Sequence, residues 1–130
     1  MSRQRWQPQR GEVLLVRFPF LGIGGRVQAK PRPAVIVSGS AIHDYTADVL
    51  IAAISSRPAS QPLPTDYEIR LGTPEATAAG LKKTSWVKVS NLAAVPRAAV
   101  SRRLGHLSPD GLKAVDDRLR MALDLSLIHI

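Results

Sequence analysis

The stretch Lys30-Pro31-Arg32-Pro33-Ala34-Val35-Ile36-Val37-Ser38 runs a basic segment straight into an apolar one. Ala34 to Val37 is too short for a typical helix and is rich in β-branched residues, so it predicts a core strand. Pro33 lacks an N–H, which suits the first residue of a strand rather than its middle. It also disfavours helical backbone at Arg32 and pushes that residue toward extended geometry. The expected result is one guanidinium on a stiff backbone at the mouth of a β core. Taken alone, that describes an ordinary surface arginine at a strand entrance; the flanking segments carry the functional argument.

Working outward, Gly11 to Phe18 predicts a first strand with apolar residues on both faces, and Phe18-Pro19-Phe20 ends it. Leu21 to Ala29 holds Gly22, Gly24 and Gly25 without dinucleotide-binding spacing, so it reads as a long hairpin loop or a flap beside Arg32. The strand from Pro33 to Gly39 is followed by a surface connection, Ser40 to Asp48, in which His43 is expected to be solvated. Val49 to Ile54 predicts a buried strand ending in Ser55-Ser56-Arg57. Asp66 to Leu71 alternates as a half-exposed strand does, and Ala76 to Ala79 fits a helical turn. Ser85 to Val89 predicts a strand with Trp86 and Lys88 opposite Val87, and Val100 to Leu104 a last one. Ser108-Pro109-Asp110 then opens a C-terminal helix: an N-cap, a proline at the first position and a dipole-complementing acid. Its stripe is Leu112, Val115, Leu119, Ala122 and Leu123, with Arg118 and Arg120 expected in solvent. The fold class is therefore mainly β (α+β): five to six short strands as a small barrel or half-open sheet, covered by one helix. Residues 1–10 read as a basic flexible arm whose Trp6 either stacks on a base or packs on the domain, 11–125 as one domain, and 126–130 as a tail.

The chain has 130 residues and no cysteine, which excludes a disulfide framework, a thiolate nucleophile and cysteine metal sites. No apolar run reaches the length of a membrane span, and a cytoplasmic location is expected. The net charge is +8, and it is uneven. The first 32 residues hold Arg3, Arg5, Arg10, Arg17, Arg26, Lys30 and Arg32 against Glu12 alone. Such a surplus favours a polyanionic partner. An acidic membrane is the weakest candidate, because the basic segment lacks an amphipathic helical pattern.

Catalytic chemistry is narrow. His43, His106 and His129 lie apart, and Asp116-Asp117 face different ways on a helix, so no metal site and no cofactor is expected. A serine hydrolase lacks its nucleophile elbow. What remains is arginine, lysine and hydroxyl chemistry. That suffices for RNA, where the substrate's own 2′-OH is the nucleophile and the protein supplies positioning and charge stabilisation. A guanidinium holds its proton throughout the physiological range, so Arg32 suits an electrostatic role better than that of a base.

Several segments together resemble the MazF/PemK family of toxins from bacterial type II toxin–antitoxin modules. They are Arg10-Gly11-Glu12-Val13, Phe18-Pro19-Phe20, the Lys30 to Ser38 stretch, Ile51-Ala52-Ala53-Ile54-Ser55-Ser56, Gly80-Leu81, Ser85-Trp86-Val87-Lys88-Val89 and Leu104-Gly105-His106-Leu107-Ser108. The likeness runs from about Arg10 to Leu125. It implies an SH3-like barrel, a homodimer, a cognate acidic antitoxin, and metal-independent cleavage of single-stranded RNA to a 2′,3′-cyclic phosphate and a 5′-hydroxyl. The family's catalytic arginine matches Arg32, and its catalytic hydroxyl, usually a threonine, matches Ser55. Gln28 matches a flap glutamine, while the acid often preceding it is Val27 here. The expected RNA-binding set is Gln28, Lys30, Ser56, Lys82, Lys83 and Lys88. An arginine and an aspartate used by some members on the fifth strand are Lys88 and Ser90 in this chain. A non-catalytic nucleic-acid-binding barrel and a gyrase poison of the same fold type are the competing readings.

Overall fold

The computed structural model describes residues 6–17, 20–21, 27–28, 30–57 and 61–126, with the backbone alone at 20–21 and 27–28. Among these residues eight strands and three α-helices follow in chain order: β1 Glu12–Arg17, β2 Phe20–Leu21, β3 Val27–Gln28, β4 Pro31–Ile36, α1 Ser40–His43, β5 Asp48–Ser55, β6 Asp66–Ile69, α2 Pro74–Ala79, β7 Ser85–Pro96, β8 Val100–His106 and α3 Pro109–Ala122, with a single 3-10 turn at Arg97–Ala99 between β7 and β8. Six strands form one antiparallel sheet in the order β6-β7-β5-β4-β1-β8, and β2 and β3 pair separately. The mainly β class and the C-terminal helix are as expected. The barrel description fits loosely, because β6 and β8 end the sheet without pairing to each other.

Both sheet faces are apolar, which is why the central strands read as continuous hydrophobic runs. On one face Val13, Val35, Ala52, Ile54, Val87 and Val89 pack beneath α2 and α3, with Leu112, Val115 and Leu119 of α3 as the helical contribution. On the other, Leu14, Val16, Ala34, Ile36, Val49, Ile51 and Val95 form a second cluster, against which Trp6 packs. The arm expected over residues 1–10 is thus docked from Trp6 onward. Trp6 Nε1 donates to Glu12 at 3.4 Å, and Arg10 is ion-paired to Asp116 on α3.

β4 begins at Pro31, so Pro33 is its third residue and not its first. Pairing to β5 starts only at Ala34, which leaves that side of β4 open where the prolines fall. β7 runs to Pro96, well beyond the expected Val89. Its pairing jumps from Ala53↔Lys88 to Ala52↔Leu92, so Val89 to Asn91 bulge out and the strand turns a corner. Gly80 ends α2 with φ +70°, and its missing Cβ leaves room for the Leu104 carbonyl of β8. α3 starts as read: Ser108 Oγ accepts from the Gly111 N–H at 3.0 Å.

Two further expectations are corrected. His43 is buried rather than solvated. Its Nδ1 faces the Pro8 carbonyl at 3.1 Å, which can only accept, so Nδ1 carries the proton. Nε2 therefore accepts from Ser38 Oγ at 2.6 Å, and that Oγ in turn accepts from the Leu50 N–H. Arg118 is also not in solvent. Its guanidinium donates to the Asp66 and Ala114 carbonyls and lies 5.0 Å from the Tyr67 ring centroid.

Candidate active site

Arg32 projects from the first turn of pleat in β4 and is exposed. On its β1 side it pairs with Val16. On its β5 side the last recorded pair is Ala34↔Ala53. Two residues further along an antiparallel register, Arg32 comes level with Ser55, the last residue of β5. Because side chains alternate with a period of two, Arg32 and Ser55 then share one face. They line one open cleft of about 620 Å³, together with Ser56, Arg57, Ser85 and Asn91. Ser55 Oγ accepts from the Arg57 N–H at 3.2 Å, a contact that fixes the hydroxyl oxygen while leaving its proton available to the cleft.

The remaining candidates divide. Lys30 is exposed next to β4, and Ser56 lines the cleft. Lys82 and Lys83 are exposed on the segment leading into β7 and are not among the lining residues. The Gln28 backbone pairs with Phe20, but its side chain and the Gly22, Gly24 and Gly25 loop lie outside the described residues. Lys88 shares the Ser55 face but is turned to β6: its Nζ donates to Asp66 Oδ2 at 2.7 Å, and the Asp66 side chain is only 4% exposed. The acid on this strand is absent at Ser90, yet a carboxylate reaches Lys88 from the neighbouring strand.

Arg57 and Asn91 are cleft residues that sequence reasoning passed over. For Arg57 a signal existed. Arg57-Pro58 repeats the Arg32-Pro33 dipeptide in the sequence, and Arg57 stands two residues past the end of β5, the strand that neighbours β4. Asn91 is brought in by the β7 bulge, which alternation does not announce. Among the described residues no three His, Asp or Glu side chains converge as metal ligands. What the cleft can do is hold an anion between guanidinium groups beside a fixed hydroxyl.

Known proteins resemble this chain over nearly its whole length. A sequence model of the PemK-like, MazF-like toxins of type II toxin–antitoxin systems matches residues 9–123. Endoribonuclease MazF of Staphylococcus saprophyticus is 27% identical over 121 residues, which is 93% of this chain and 95% of that protein. The fold matches that of an endoribonuclease from a mycobacterial species with a TM-score of 0.70 at 21% identity, over 97% of this chain and 100% of the other. It also matches a mycobacterial endoribonuclease solved in complex with its cognate antitoxin, with a TM-score of 0.68 at 24% identity, over 93% and 99% of the two chains. With the matched segment running from Gln9 to Leu123 and so taking in the whole sheet, the cleft and all of α3, this chain belongs to the PemK-like, MazF-like toxins of type II toxin–antitoxin systems.

Proposed function

We propose that this toxin is a metal-independent endoribonuclease that cuts single-stranded RNA, mRNA above all, at specific sequences. The 2′-OH of the nucleotide before the cut attacks the adjacent phosphorus, the P–O5′ bond breaks, and the products carry a 2′,3′-cyclic phosphate and a 5′-hydroxyl. The observation that carries the reading is that Arg32 and Ser55 line one solvent-open cleft. Arg32 holds the non-bridging oxygens whose charge grows in the transition state, and its planar fork contacts two of them. The Ser55 hydroxyl, oriented by the Arg57 N–H, donates a further hydrogen bond to the reacting phosphate. Lys30, Ser56, Lys82 and Lys83 extend the positive surface along which the strand lies, with Gln28 contributing from the flap and Lys88 acting through its pair with Asp66. Site selection follows from the loop shapes that hold splayed bases.

The partners fit the same surface. A cognate antitoxin with an acidic segment is favoured by the +8 charge, and it would compete with RNA for the Arg32 face. One of the matched mycobacterial endoribonucleases is solved with its antitoxin. A homodimer is supported by a groove of about 490 Å³ on another face, lined by Val37, Leu50, Leu92, Leu119, Leu123 and Leu125. Four of those leucines are exposed in the single chain, more contiguous apolar surface than a monomer needs. Leu92→Glu should then yield a 14 kDa species in sedimentation where the parent sediments as a pair. Among the described residues no helix is long and apolar enough to cross a membrane, in keeping with action in the cytoplasm.

The test is direct. Labelled single-stranded RNA is incubated with the protein in excess EDTA and the ends are mapped. Cyclic phosphate and 5′-hydroxyl ends are expected. Bound but intact RNA would instead favour a non-catalytic binding module, and intact RNA with gyrase trapped on DNA would favour the gyrase-poison reading.

A further inference from the structure

We propose that Arg57 is a second phosphate-binding residue of this cleft, gripping the phosphate next to the one that is cut. The inference rests on the RNA-cleaving reading above. Arg57 lines the same cleft as Arg32 and Ser55, and it is exposed. Its guanidinium has no hydrogen bond or ion pair among the described residues, unlike those of Arg10, Arg97, Arg118 and Arg120. An unneutralised guanidinium in a concave, positively charged wall is a site for an anion. Its backbone N–H is meanwhile tied to Ser55 Oγ, so one turn carries both the hydroxyl and the second cation.

The neighbouring phosphate is the better assignment on geometry. Continuing the Ala34↔Ala53 register by two residues brings Arg32 level with Ser55, so those two meet the same phosphate. Arg57 lies two residues past Ser55, up to about 7 Å further along the chain at strand rise. A strand of RNA that leaves Ser55 past the end of β5 meets Arg57 next. The residue is thus a positioning contact that sets the register of the RNA, and the scissile phosphate remains with Arg32.

The experiment measures binding separately from cleavage. Single-stranded RNA with one 2′-deoxy nucleotide at the mapped cut is bound to the full-length protein and to Arg57→Gln and Arg57→Lys, by anisotropy, across a salt series. A second set carries one neutral methylphosphonate linkage, walked through the positions flanking the cut. Arg57→Gln should weaken binding about tenfold. It should also lower the slope of log K against log salt by about 0.7, the value for one lost contact on a single strand. Arg57→Lys should keep the slope. At one flanking position the methylphosphonate should weaken wild type by a similar factor and leave Arg57→Gln unchanged, and kcat/KM on all-ribose RNA should fall about as far as the affinity does. The inference is overturned if Arg57→Gln binds with wild-type affinity and slope, if the two losses add at every position, or if kcat alone falls. Those results leave the parent reading standing as long as wild type cuts the all-ribose RNA; failure of that cut removes the parent reading itself.

Discussion

Arg32→Ala should slow RNA cleavage by about 10²–10³ while leaving the fold intact. The side chain is exposed and fills no core volume, so its removal opens no cavity. The β4 ladder to β1 runs through backbone groups that alanine retains. The stability change should therefore stay within about 1 kcal/mol, the range of a surface polar contact. The rate change is of another order. A preorganised donor aimed at the developing phosphorane charge is worth about 2.7–4 kcal/mol, and nothing beside it takes over both of its contacts. Arg32→Lys keeps the charge but loses the two-pronged geometry and should recover only part of the loss. Single-turnover cleavage of end-labelled RNA, with a thermal melt on the same samples, reads both quantities. A folded Arg32→Ala protein with the wild-type rate would refute the reasoning, as would a rate loss that tracks a fall in melting temperature.

Ser55→Ala should reduce cleavage severely with little change in binding, and Ser55→Thr, which keeps the hydroxyl, should remain active in the same assay. Asp66→Ala should lower stability by about 3 kcal/mol or more in urea unfolding, because it strands the largely buried Lys88 ammonium; Asp66→Leu with Lys88→Met should recover most of that loss. Burial, then the hydrogen bond to Glu75, pushes the Tyr67 phenol up to about 12. The folded protein thus keeps a proton that the unfolded chain releases near pH 10, so this group's contribution is complete below about pH 10 and disappears as pH climbs toward 12. Tyr67→Phe should flatten that part of the stability–pH curve.

What was legible in the sequence was local. Ala34 to Val37 and Val49 to Ile54 announce buried strands because both of their faces are covered, and α3 announces its start through Ser108, Pro109 and Asp110. Arg32 stood out because two prolines stiffen its backbone. Long-range partners left no local trace. His43 is buried by a carbonyl 35 residues away and by Ser38, neither of which its own neighbours indicate. The second half of β7 was missed because the Val89 to Asn91 bulge breaks the alternation that marks a strand. The two tryptophans differ in the same way. Trp6 sits in a basic segment but packs on the second core cluster, while Trp86 pairs with Ser55 beside the cleft. Arg57, read only as part of a strand's end, gained a role once the sheet order put β5 next to β4 and both arginines lined one cleft.

The central claim is that the substrate supplies the nucleophile and the cleft holds the phosphate it attacks. A single 2′-deoxy substitution at the mapped cut site, in an otherwise unchanged RNA, tests that most directly. The account predicts that the protein binds this RNA, leaves that one bond intact in the presence of EDTA, and still cuts any all-ribose site on the same strand. Cleavage of the 2′-deoxy bond at the normal rate would contradict it.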